Sequence, residues 1–199
     1  MASWAELLTL AGPGEHVVQL YGEDDQLLAR NVSRYLAEGL RRGDGLVVIG
    51  TPEHTEAVAR HLVEETWVPA DDRSGLACLD ARATLDRVCS GGELDGSLFG
   101  EVMGGILSEA RERSGTGSVR ASCGMVSLLW CEERYTEAWR LEDLWNGILT
   151  AHSCSLFCAY PVDLFDRDGD MAALHPIVCA HHQVLAGSST VLTSGRPRG

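Results

Sequence analysis

With 199 residues, of which 45% are hydrophobic and 23% charged, the chain has the size and composition of one globular domain. These values exclude an intrinsically disordered protein and leave no room for a second catalytic domain. The formal net charge of -13 at pH 7 would repel phosphate, so it argues against direct binding to nucleic acid or to anionic membranes.

The N-terminal segment and the cysteines indicate a cytoplasmic protein. Residues 1–16, MASWAELLTLAGPGEH, carry no Lys or Arg before their apolar run, unlike a signal peptide. No apolar run approaches the roughly 18 residues of a membrane span. The chain has 7 cysteines, an odd number without a CxxC pair, which is typical of thiols kept reduced in the cytosol.

The first half of the chain alternates helical and β-type patterns. The sequence predicts a short helix over 1–11, a strand over 16–21 and a helix that Asp24 or Asp25 caps and that ends near Gly43. Residues 45–50, GLVVIG, form a continuous apolar run, as a parallel strand covered on both faces requires.

Four further patterns extend the alternation to the middle of the chain. They predict a helix over 52–65, a strand over 76–79 and helices over 81–88 and 97–113.

The second half continues in the same way. The sequence predicts a weak strand at 119–121, helices over 125–130 and 135–151, a strand over 154–160 and a last helix over 170–185. Repeated strand–helix units predict a three-layer α/β fold, with a mainly parallel sheet and helices on both faces.

We expect three segments in this fold. Residues 1–14 form a helical lead-in, 15–186 the domain and 187–199, GSSTVLTSGRPRG, a flexible C-terminal tail.

Six short blocks, taken in order, resemble one family. They are HVVQLY (16–21), GDGLVVIGTPEH (43–54), LDA (79–81) with Leu85, LD (94–95) with Phe99, LEDLWN (141–146) and LFCAYP (156–161). Together they resemble a MEDS domain, the methanogen/methylotroph sensory domain of the dichloromethane-metabolism regulator. The resemblance covers about 16–185.

The resemblance implies a RecA-like fold, similar to circadian-clock ATPases, that serves as a sensor in bacterial and archaeal signalling and transcription control. It implies small organic ligands and partners such as histidine kinases or anti-sigma-type regulators. Because no output module follows the domain, we expect the chain to signal through another protein. One block departs from the family: Ser122-Cys-Gly-Met-Val126 stands where such domains usually read Phe-Gly-Glu-Met-Val, so the acidic side chain is absent.

The loop after the 45–50 strand argues against nucleotide hydrolysis. A P-loop needs glycines, a lysine and a Ser/Thr around phosphate. Here Pro52 removes a donor, Glu53 adds negative charge and no lysine follows. We therefore interpret the loop as a degenerate P-loop. No Gly-x-Ser-x-Gly elbow occurs either, and we predict that the protein is not an enzyme.

The His and Cys residues near the C-terminus raise a second, weaker hypothesis, that the protein binds a metal ion. His175, Cys179 and His182 would share one face of the last predicted helix, and Cys154 and Cys158 share a strand face. Three ligands in one helix are not a known zinc pattern, and His near a helix end is favourable by itself. The sequence predicts no particular cofactor.

Polar side chains follow several predicted strands at their carboxyl ends, where open parallel sheets bind ligands. We predict that seven residues bind a small organic ligand: His16, Tyr21, Thr51, His54, Asp80, Cys123 and Tyr160. A hydrogen-bonded structural role is a competing explanation for His16. Two other functions stay open, a ligand-free protein-interaction module and a thiol- or metal-based redox sensor.

Overall fold

Strands and helices alternate along the chain in the computed structural model, which describes residues 11–21, 24–66, 75–161, 171–186 and 190–192. The strands are β1 (His16–Leu20), β2 (Gly45–Gly50), β3 (Leu76–Asp80), β4 (Cys89–Ser90), β5 (Glu93–Leu94), β6 (Val119–Cys123), β7 (Cys154–Tyr160), β8 (Gln183–Ala186) and β9 (Thr190–Leu192). The helices are α1 (Asp25–Arg42), α2 (Pro52–Thr66), α3 (Ala81–Arg87), α4 (Gly96–Glu112), α5 (Met125–Cys131), α6 (Tyr135–Ile148) and α7 (Met171–Ala180).

The sheet confirms the predicted parallel arrangement. Its strand order is β3-β2-β6-β7-β1-β8-β9. The first six of these strands run parallel to their neighbours, and β9 pairs antiparallel with β8. Strands β4 and β5 form a separate hairpin.

Helices cover both faces of the sheet, so the predicted three-layer α/β fold is confirmed. Helices α1 and α2 pack on one face, where Val17, Val48 and Phe157 belong to the same apolar cluster. Helices α3 to α7 pack on the other face, against residues such as Val18 and Leu156. The RecA-like relationship that the resemblance implies stays a prediction.

Capping residues determine where α1 and α2 begin and where α1 ends. The Asp24 carboxylate accepts a hydrogen bond from the Leu27 N–H at 2.8 Å, and α1 stops at Gly43, whose φ of 85° is left-handed. The Thr51 hydroxyl accepts from the His54 N–H at 3.2 Å, and Pro52 occupies the first position of α2. Both helices therefore begin shortly after the carboxyl ends of β1 and β2, which lie at one edge of the parallel sheet.

Gly45 and Arg120 allow the sheet to pack closely against its surroundings. A Cβ atom on Gly45 would lie 2.2 Å from the Ala110 carbonyl oxygen, so only glycine lets α4 approach β2 this closely. The guanidinium of Arg120, 1% exposed, donates to the carbonyl oxygens of Tyr35 at 3.1 Å and Ala11 at 2.8 Å. Its Nε atom lies 3.5 Å from an Asp44 carboxylate oxygen.

The last predicted helix is too long. It ends at Ala180 instead of residue 185, and residues 183–186 form β8. The His182 N–H donates to the His16 carbonyl at 2.8 Å, and Val17 to Leu20 pair in register with β8. The backbone of β1 needs a partner on this side, and this tertiary requirement outweighs the helical pattern.

The ends of the chain are described only in part. The helix predicted over 1–11 lies almost entirely outside the described residues, and so does most of the segment 187–199, where 190–192 form β9. Among the described helices, none combines the length and the apolar character that crossing a membrane requires.

Candidate functional site

A cavity of about 290 Å³ opens at the carboxyl ends of β2 and β6. Helices α1, α2 and α5 form its walls. The neighbouring parallel strands β2 and β6 continue into helices on opposite faces of the sheet, and open α/β sheets bind ligands at such positions. Apolar side chains, including Leu28, Val32 and Ala57, line one part of it, and polar groups line the rest.

Tyr21 and His54 bring uncharged polar groups to this cavity. Burial raises the pKa of the Tyr21 phenol to about 12, so it stays protonated at neutral pH. Burial also lowers the pKa of His54, although nearby Asp25 opposes this shift, so the imidazole is neutral. Both rings can therefore donate or accept hydrogen bonds without carrying charge.

The floor and rim of the cavity differ in polarity. Cys123 and Gly124 lie at the end of β6, and the Gly124 N–H donates to the Ile49 carbonyl at 2.7 Å. Gly124 occupies the position where the family resemblance expects glutamate. Asp25 and Glu53 contribute carboxylates to the rim, which disfavours an anionic ligand such as phosphate.

A second group of polar side chains lies inside the core, on the face of the sheet that α3 to α7 cover. It consists of His16, Glu142, Cys158 and His181, whose side chains are 0–1% exposed. The potential ligand atoms of the four residues all lie within 4.8 Å of one another. We call these four residues the buried His–Glu–Cys–His cluster.

Glu142 is at the centre of this cluster. Its Oε2 atom lies 3.2 Å from Nε2 of His16, and its Oε1 atom lies 3.4 Å from Nε2 of His181. The Tyr160 hydroxyl donates to Oε1 at 2.7 Å. The Sγ atom of Cys158 lies 3.2 Å from Nε2 of His16.

Burial determines the charge of these groups. Burial and the neighbouring His181 lower the pKa of His16 to about 3, although Glu142 opposes the shift. For Glu142, burial acts to raise the pKa, but the interactions with His181 and His16 and the hydrogen bond from Tyr160 outweigh it and leave the pKa below its usual value. The cluster therefore contains a buried carboxylate next to a neutral His16.

The structure distributes the seven predicted ligand-binding residues over three places. Tyr21, Thr51, His54 and Cys123 line the cavity. His16 belongs to the buried cluster, and Tyr160 donates to it. The carboxylate of Asp80 instead caps α3, accepting from the Ala83 N–H at 2.7 Å.

The three residues proposed as metal candidates do not share one helix face. His175 and Cys179 are exposed, with Sγ 3.8 and 3.9 Å from the two ring nitrogens. His182 lies beyond the end of α7, where its Nδ1 atom accepts from the His16 N–H at 3.1 Å.

Sequence reasoning missed Glu142 and His181. Glu142 stood in a family block, LEDLWN, without being assigned a role. His181 was placed within a helix that in fact ends one residue before it. The available signal was an acidic residue in helical register with apolar positions such as Ala138 and Trp145.

Comparison with known proteins identifies the family. The family model of MEDS, the MEthanogen/methylotroph, DcmR Sensory domain, matches residues 15–181. A search of curated proteins gives no significant match. Because the family model matches most of the chain, the chain belongs to the MEDS family of sensory domains.

Proposed function

We propose that this chain is a non-catalytic sensing domain that binds a small organic molecule in the cavity between α1, α2 and α5. The cavity supports this proposal most strongly. Its volume of about 290 Å³ lies near the lower limit of roughly 300–1,000 Å³ for small-molecule sites. Membership of a sensory family supports the same role.

The lining indicates the chemistry of the ligand. Leu28, Val32 and Ala57 offer apolar contact, while Tyr21 and His54 offer neutral hydrogen-bonding groups. The carboxylates of the rim disfavour anions. A small neutral molecule with one or two polar atoms, such as a simple hydrocarbon derivative, fits these properties best.

A protein partner in the cytoplasm would recognise the ligand-bound state of the domain. A histidine kinase or an anti-sigma-type regulator of transcription is a suitable partner for a sensory domain. Helices α1 and α2 form both the cavity wall and one outer layer of the fold. A ligand that changes their packing would change a surface that a partner can contact. The net charge of -13 favours a partner with a basic surface.

A titration followed by NMR tests the ligand proposal. Small alcohols, organic amides and halogenated alkanes are added to the isotope-labelled protein. The backbone amide chemical shifts of residues 50–57 and 122–128 are monitored. Ala57→Trp fills the cavity, whereas Ala83→Trp places the same ring at an exposed position of α3. We expect at least one probe class to shift these amides in the wild type and in Ala83→Trp, but not in Ala57→Trp.

A ligand-free interaction module is a second candidate. Gly124 favours it, because the wall lacks the acidic side chain that the family resemblance expects. If no probe class shifts the cavity amides while the protein still binds a partner, this second function replaces the first.

A further inference from the structure

We propose that His16, Glu142, Cys158 and His181 bind a divalent transition metal ion, with Zn²⁺ as the best fit, inside the core. This inference does not depend on the organic ligand, because none of the four residues lines the cavity. Their donor atoms are two nitrogens, one oxygen and one sulfur, all within 4.8 Å of one another.

The spacing of these atoms fits tetrahedral coordination. Metal–ligand bonds of roughly 2.0–2.3 Å place neighbouring ligand atoms about 3.3–3.8 Å apart in a tetrahedron. Nε2 of His16 lies 3.2 Å from Cys158 Sγ and 3.2 Å from Glu142 Oε2. Nε2 of His181 lies 3.4 Å from Glu142 Oε1. All four ligand atoms lie within 4.8 Å of one another, so a bound ion would draw the more distant pairs closer together.

The hydrogen bonds of His181 direct its Nε2 atom towards the cluster. Its Nδ1 atom lies 2.6 Å from the Ile177 carbonyl oxygen. Because a carbonyl only accepts, Nδ1 must carry the proton. In the neutral ring, the lone pair is then on Nε2, which faces the carboxylate of Glu142.

The same reasoning applies to His16. The Asn146 amide nitrogen donates to the Ala180 carbonyl at 3.1 Å, which turns the Asn146 oxygen towards His16. Nδ1 of His16 donates to this oxygen at 3.0 Å. Its lone pair therefore also faces the carboxylate, so two neutral imidazoles would present lone pairs to an anion.

A positive charge between the imidazole lone pairs and the carboxylate of Glu142 removes their mutual repulsion. Oε2 of Glu142 is buried and accepts no hydrogen bond from a described residue, although it lies 3.2 Å from His16. Either a proton on an imidazole or a metal ion can supply the missing positive charge. With a thiolate on Cys158 and a carboxylate on Glu142, a divalent ion makes the buried site electrically neutral.

The surroundings and the donor set favour the metal. Metal-binding histidines usually donate their second ring N–H to a carbonyl or a similar acceptor, as both histidines do here, and Tyr160 orients the carboxylate in the same way. A nitrogen- and sulfur-containing set of four ligands suits zinc, cobalt or iron, whereas Mg²⁺ and Ca²⁺ prefer oxygen.

Cobalt substitution tests the proposal without requiring an activity. The full chain is unfolded in denaturant with chelator, freed of metal and refolded with or without Co²⁺, because the folded core shields the cluster. We expect stoichiometric Co²⁺, a thiolate-to-cobalt charge-transfer band and the intense visible bands of tetrahedral Co²⁺. We also expect Zn²⁺ to displace the Co²⁺ and to raise the midpoint of thermal unfolding.

Matched variants assign the bound ion to the cluster. Cys158→Ser should abolish the charge-transfer band. Cys154→Ser should keep it, since Cys154 is buried on the same strand and the same face but lies outside the cluster. Cys179→Ser should also keep it, which excludes the exposed His175–Cys179 pair.

Two results would overturn the metal site. One is a refolded wild-type chain without the charge-transfer band, which would show that the cluster does not bind the ion through Cys158. The other is a band that survives Cys158→Ser. If Cys158→Ser does not fold, the presence or absence of the band in the wild type and in Cys154→Ser still decides.

Discussion

The side-chain amide of Asn146 lies between His16 and the end of α7. It accepts from Nδ1 of His16 at 3.0 Å and donates to the Ala180 carbonyl at 3.1 Å. Asn146 thus sets both the tautomer and the orientation of a ring that is 0% exposed. It is a positioning residue for the buried His–Glu–Cys–His cluster.

The first prediction concerns this positioning. Asn146→Ala should weaken Co²⁺ binding by about 10- to 100-fold, because His16 loses the acceptor that holds its ring. Asn146→Asp keeps an acceptor for the Nδ1 proton and should bind more tightly than Asn146→Ala. Chelator competition measures the affinities. Equal affinities for the wild type and Asn146→Ala would contradict this role.

The second prediction concerns the buried Arg120. Arg120→Leu should lower the free energy of unfolding by about 3 kcal/mol or more, because Asp44 loses its cation and two carbonyl oxygens lose a donor. Urea unfolding gives the value. Arg113→Leu, at an exposed position on the surface, should change it by about 0.5 kcal/mol or less. Similar effects of both variants would show that the Arg120 contacts are not stabilising.

The third prediction concerns the reactivity of the thiols. Cys78, Cys131 and Cys179 are exposed, whereas Cys123, Cys154 and Cys158 are buried. Burial also raises the pKa of Cys154 and Cys158 and so disfavours the reactive thiolate. Iodoacetamide should therefore modify the exposed three in the native protein. The buried three should react only after unfolding.

Peptide mass spectrometry of the modified protein tests this order. Partly buried Cys89 should react at an intermediate rate, since burial raises its pKa as well. Rapid native modification of Cys158 would show that the core around the cluster opens readily, contrary to the packing described above.

The fourth prediction concerns pH. Burial lowers the pKa of His54 in the folded protein, so the unfolded chain binds the proton more tightly. The contribution of neutral His54 to stability is therefore complete above about pH 6.5 and decreases as the pH falls towards the folded pKa. The decrease is at most about 1.4 kcal/mol per pH unit.

His54→Gln provides the comparison, because glutamine keeps a polar side chain that does not titrate. The difference in unfolding free energy between wild type and variant should shift in favour of the variant between pH 7.5 and pH 5. Urea unfolding at both values measures this shift. A constant difference would mean that His54 has the same pKa in both states.

Much of the fold could be predicted from local patterns. The apolar run 45–50 indicated a strand buried on both faces, and 154–160 was predicted with the bounds that β7 has. Thr51-Pro52 indicated the start of α2. These features depend on neighbours in the chain, since periodicity, capping and proline geometry act over a few residues.

The carboxyl-end rule also indicated part of the candidate site. Tyr21, Thr51, His54 and Cys123 follow or end strands, and all four line one cavity. Asp80 follows the same rule but caps a helix instead. The rule places a residue at an edge of the sheet, but it does not say whether its side chain turns towards a helix terminus or a cavity.

The sequence by itself determined the family, the α/β class and the strands that run through the core. Only the tertiary structure decided that His16, Glu142, Cys158 and His181 meet. They come from β1, α6, β7 and the segment after α7, and their sequence separations reveal no common spacing. Strand order brings β7 next to β1, and pairing of β8 with β1 ends the last helix early enough to turn His181 inward. Such contacts follow from satisfying the backbone of β1 and burying both faces of the sheet, which are properties of the whole chain.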